Sequence, residues 1–171
     1  MGTGQTMLVL VALVILATIT ISSNKLIIDQ SETVQGSEAM ITGTAIGQTE
    51  IEEATEKYFD GRVLPPLTTD TVSTFTPPSQ FGSEPGYIAG DPSTFDDIDN
   101  YNGYTDTVST PRLGDFITTD SVYYVTETAP DVNAGTQTFF KRIDVTVQNP
   151  YLATPNHSIE LSAIVSYRYK D

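Results

Sequence analysis

The apolar residues of this chain crowd its start. Met7 to Ile21 reads MLVLVALVILATITI, and no charged side chain comes before Lys25. From there to Asp60 no proline interrupts the chain; Gly61 follows, then Pro65-Pro66. The pattern predicts one long helix over residues 1–60, apolar over 1–24 and amphipathic over 25–60. Such a helix would extend about 90 Å. That exceeds a membrane or a small domain, so part of it must pack against a head or against other copies. In the amphipathic part, Ile27, Val34, Ile41, Ala45, Ile51, Ala54 and Tyr58 mark one stripe. Glu50, Glu52, Glu53, Glu56 and Lys57 fall on the solvated side. Gly36, Gly43 and Gly47 each cost about 1 kcal/mol relative to alanine in a helix. They suit close backbone approach in a bundle, a bend, or plain flexibility.

The pattern then changes twice. Over 61–120 the prolines at 65, 66, 77, 78, 85, 92 and 111 exclude long helices. This stretch predicts a loop-rich connection with short extended pieces, laid over the helix. It is ordered, because aromatics recur at Phe75, Phe81, Tyr87, Phe95, Tyr101, Tyr104 and Phe116. Over 121–171 the period becomes two. Ser121 to Thr128 reads SVYYVTET. Phe139, Lys141, Ile143, Val145 and Val147 share one face of the next run, and Ile159, Leu161, Ala163, Val165, Tyr167 and Tyr169 one face of the last. The connectors are short enough for an antiparallel meander. The fold class is therefore α+β: a long N-terminal helix as a spine, with a C-terminal antiparallel sheet packed as a head on its second half.

Composition narrows the function. The net charge of −14 repels nucleic acid and anionic membrane faces. Without cysteine there is no disulfide, thiolate nucleophile or cysteine metal site. The N-terminus lacks the basic region of a secretory signal and an obvious cleavage site. A membrane anchor fits better, because no charged side chain occurs over 1–24 and about 20 such residues span a bilayer.

Candidate chemistry is sparse. The acidic run Asp91 to Asp106 includes Asp96, Asp97 and Asp99, oxygen donors of the type calcium takes. The EF-hand spacing fails, however, since Tyr101 stands at the fifth position counted from Asp97. The alternative is a turn in which Asp and Asn bond their own backbone. His157, the one histidine, precedes the last strand with no nucleophile motif nearby. No P-loop, G-x-S-x-G or H-E-x-x-H occurs, so no catalytic residue, metal or cofactor is assigned. Asn156-His157-Ser158 is a glycosylation sequon in an expected exposed turn, and Thr68 to Thr76 could carry O-linked sugar.

This layout resembles that of a type IV pilin or pseudopilin: an apolar helix from the very start, an amphipathic continuation, a variable connection and an antiparallel sheet. The likeness covers the whole chain in layout and the first two dozen residues in motif. Phe95 to Tyr104 is also similar to an Asp-Asp-Tyr-x-Gly-type element of some minor pilins of the mannose-sensitive haemagglutinin kind. The resemblance implies a non-enzymatic subunit of an extracellular filament. It would be anchored in the inner membrane before assembly, handled by pilus assembly machinery, and then form a homo-oligomer. Assembly contacts would fall on Met1, Gln5, Leu8, Val11, Leu13, Ile15 and Ala17, with Gly36, Gly43 and Gly47 farther along. Gln5 stands where the family has a glutamate that pairs with a neighbour's terminal amine. The family's basic leader is not visible, which implies a processed chain or an anchor of another type. A membrane-anchored adhesion or binding domain, and a minor subunit that primes a filament, are the competing expectations.

Overall fold

A computed structural model describes residues 2–64, 69–82, 88 and 90–167. Met1, Pro65, Pro66, Thr68, Pro85, Tyr87 and Tyr169, named above, lie outside them. The chain divides into two compact units, Met1–Glu38 and Ala39–Asp171.

Helix α1 runs Thr3–Glu56, close to the predicted span. Thr18 and Thr20 sit in its apolar part without loose donors. Their hydroxyls fold back on the carbonyls of Ile15 and Leu16, each at 2.8 Å, which lets an apolar helix carry threonine. The helix stops where the chain departs into a parallel bridge between Tyr58 and Asp97.

The second unit holds a four-stranded antiparallel sheet in the order β1-β2-β3-β4. Its strands are β1 (Thr105–Thr110), β2 (Gly114–Val125), β3 (Phe140–Gln148) and β4 (Ser158–Ser166). The meander is as expected, but the sheet begins earlier: β1 and half of β2 lie in the stretch read as loop. Their sequence is mostly Thr, Ser and Asp, because β1 is an edge strand with little apolar surface to hide. Before β1 the chain winds through four short 3-10 turns. The connecting aromatics are core: Phe75, Phe81, Phe95, Tyr101, Tyr104 and Phe116 are all buried. Phe59, Phe75 and Tyr167 meet edge to face at 5.1–5.5 Å, and Phe95, Tyr101 and Tyr104 form a second such group at 4.9–6.0 Å.

The expected helix stripe is corrected by the packing. Ile41 and Tyr58 are 72% and 52% exposed, and Ala45 is exposed too. Ala54 of that stripe is buried and Ile51 half-buried against the core, but the rest of the face against the sheet is Ala39, Gly43, Gly47 and Glu50, spaced by three or four. The reason is size. The sheet presents Phe116, Val147, Ile159 and Leu161, and only a helix face without bulk can close on them. A Cβ on Gly43 would lie 3.2 Å from Ile159 Cδ1 and 3.4 Å from Phe116 Cε1; one on Gly47 would lie 2.8 Å from Leu161 Cδ1 and 3.1 Å from Val147 Cγ2. The close approach granted by these two glycines is thus used within the chain.

A graded outcome follows at Gly47. An alanine meets the mobile tip of Leu161 and regains about 1 kcal/mol of helix propensity, so Gly47→Ala should leave the melting temperature nearly unchanged. Gly47→Leu forces the helix off the sheet and should cost about 1–3 kcal/mol or more, read by thermal melting in circular dichroism.

Candidate functional site

Three places in the chain carry features beyond folding. The first is the apolar surface of α1. Every residue from Gly2 to Val34 is exposed, with Leu8 at 72%, Val11 at 52%, Leu13 at 56% and Ile15 at 53%. Gln5 and Ala17 are exposed on the same stretch; Gly36, two residues beyond its end, is buried. The helix is long and apolar enough to cross a membrane. This fits a membrane anchor or a signal sequence.

The second is a buried ion cluster at the helix end. Alternation along β3 turns Lys141 to the same side as Ile143, Val145 and Val147, and it is fully buried. An ammonium there needs acceptors for its three protons. It finds the Phe59 carbonyl at 2.5 Å, Asp60 Oδ2 at 3.1 Å and Asp99 Oδ2 at 2.8 Å. Rings of Phe59, Phe81 and Tyr124 surround it, with centroids 4.4–5.2 Å from Nζ.

The two carboxyls are held differently. Asp60 accepts from Arg62 N at 3.1 Å, Thr76 N at 2.7 Å, Thr76 Oγ1 at 3.2 Å and Tyr124 O–H at 3.4 Å. Asp99 has Lys141 beside it and no other donor among the described residues. Burial, outweighing the attraction of Lys141, holds the Asp99 carboxyl well above the usual range. Burial and the neighbouring aspartates also push the Tyr124 phenol far up.

The run Asp96, Asp97 and Asp99 is therefore committed to structure. Asp97 accepts from Gly61 N at 2.5 Å and Asn100 N at 3.2 Å, the latter capping the 3-10 turn Ile98–Tyr101. Asp96 is exposed, its N–H donated to Asn100 Oδ1 at 3.0 Å. Among the described residues no group of three acids or histidines is placed to hold a metal ion. The self-bonding turn is what forms, because the buried lysine supplies the positive charge that a cation would have.

The third place is a carboxyl pair. Glu50, assigned to the solvated side by spacing, is 8% exposed and meets Asp120 of β2, 2% exposed. Asp120 finds no N–H or hydroxyl donor among the described residues. The two carboxyls are close enough to raise one another's affinity for a proton. Burial first, then the neighbouring acids, push Glu50 up to about 7 and Asp120 up to about 8. Buried Tyr101 faces the same pair and Glu53; its phenol is raised by burial and by these charges.

Asn156 lies exposed in the 3-10 turn Pro155–His157, with φ of 62°. Asparagine accepts that left-handed backbone readily. His157 braces the turn through Nδ1 on the Leu152 carbonyl, 2.8 Å away. Sequence reasoning put Lys141 on the apolar face but gave it no partner. A lysine among alternating apolar residues was the available signal, since such a residue is almost never buried unpaired. No signal marked Glu50 and Asp120 as a pair.

No protein-family profile, curated protein or solved structure matches this chain.

Proposed function

We propose that the chain is a structural subunit of an extracellular, type IV pilus-like filament. Residues 1–24 hold it in a membrane before assembly. Assembly machinery then draws it out, and the same residues pack into a helical core of identical copies. The observation that supports this reading is the bare apolar stretch Met7 to Ile21, exposed throughout. A surface of that size and composition must be covered by lipid or by protein. Moving it from lipid to protein gains little from the hydrophobic effect, so the gain comes from packing, to which small residues such as Ala17 are suited. Gln5 would bond a neighbour's terminal amine more weakly than the family's glutamate, but it costs less to bury. The acidic heads would face solvent.

Electron microscopy of the sheared cell-surface fraction tests this. Thin regular fibres containing this chain are expected. Monomers that stay with the membrane and dissolve only in detergent would instead favour the anchored binding domain. Ala17→Phe should reduce fibre yield while leaving the melting temperature of the head unchanged. Equal damage to both would count against a packed helical core.

A further inference from the structure

We propose that Lys141 and Asp99 become joined by an amide bond between their side chains, formed by the folded head on itself, with Asp60 as the proton carrier.

Three features of the cluster support this. The first is placement. Nζ lies 2.7 Å from Asp99 Oδ1 and 2.8 Å from Oδ2, which holds the nitrogen and the carboxyl group in direct contact, so attack on the carbon needs only a small shift out of the carboxyl plane. The second is the division of roles between the acids. Asp60 takes hydrogen bonds from two backbone N–H groups and two hydroxyls, which fix its carboxyl in place beside Nζ, where it can pass protons. Asp99 has no such donors and is the acid held neutral by burial, so its carbon is the one open to attack. The third is dryness. Lys141 and Asp99 are fully buried and Asp60 is 1% exposed, within a wall of aromatic rings. Water cannot screen the charges there, so a buried ion pair is costly to keep.

The step balances. Asp60 takes one proton from the Lys141 ammonium, and the amine's lone pair forms the new C–N bond at Asp99 Cγ. Asp60 returns that proton to the departing hydroxyl, the Cγ–O bond breaks, and one water leaves. The nitrogen then gives its surplus proton to Asp60. No oxidant or reductant is needed. The product leaves a neutral amide and a neutral Asp60 where an ammonium and a carboxylate had been buried, which removes the cost of holding those charges out of water. It also ties β3 to the 3-10 turn that carries Asp99, a segment reached by no strand pairing.

Intact-mass spectrometry of the full chain, extracted in detergent and then denatured, tests the proposal. The expected mass is that of the sequence less one water. Proteolysis should yield one branched peptide joining the Lys141 and Asp99 segments, with no tryptic cut after Lys141. Asp60→Asn, shown folded by circular dichroism, should keep its full mass. A wild-type head that is folded but carries its full mass overturns the cross-link. So does a water loss confined to a single unbranched peptide. A cross-link that persists in Asp60→Asn overturns the role given to Asp60.

Discussion

Lys141→Met is expected to destabilise the head by about 3–5 kcal/mol, a large part of the total stability of an ordinary domain. Methionine matches the lysine stem in length and apolar character, so packing against Phe59, Phe81 and Tyr124 is largely kept. What is lost is the nitrogen of Lys141 between Asp60 and Asp99, and with it any bond to Asp99; both carboxyls are left buried without it. Asp99 can escape by keeping its proton. Asp60 keeps its Arg62 and Thr76 donors but loses the Lys141 nitrogen that lay 3.1 Å away. The loss should appear as a lower melting temperature in detergent-solubilised full chain. A control, Arg142→Met on the half-buried side of the same strand, should cost much less. Equal costs would mean that the cluster contributes no more than an exposed ion pair.

The head should also lose stability as the solution turns alkaline. In the unfolded chain Glu50 and Asp120 titrate near 4.5 and 3.8; in the fold they hold protons up to about 7 and about 8. Both folded values are raised, so this contribution is complete below the unfolded values and disappears as the pH climbs through the folded ones. Above that, two carboxylates face each other with Glu53, Asp106, Tyr101 and Tyr104 around them, and no cation among these groups offsets the repulsion. The loss between about pH 5 and about pH 9 should reach a few kcal/mol. The Glu50→Gln, Asp120→Asn double variant keeps a hydrogen-bonded pair without the titration, and its melting temperature should vary less over that range. A variant with the wild-type slope would place the pH dependence elsewhere.

The sequence by itself determined the long helix, the antiparallel sheet that follows it and the inward faces of β3 and β4. Each of these can be read locally: a long proline-free run opening on an apolar stretch for Thr3–Glu56, and a period of two in Phe140–Gln148 and Ser158–Ser166. Even the inward side of Lys141 followed from counting. Only the tertiary structure decided which face of the helix would meet the sheet. Leu161, Val147 and Phe116 come from distant strands, and their bulk selects Gly43 and Gly47 over Ile41. The partners of the buried charges belong to the same class. Glu50 meets Asp120, and Lys141 meets Asp60 and Asp99, across separations that no pattern within one segment encodes. The apolar start of α1 stands apart from both cases: its exposed surface was legible residue by residue, because nothing in the chain itself covers it. Periodicity tells each segment which way to face, but the fit of side-chain volumes and the pairing of charges depend on segments that meet only when the chain folds.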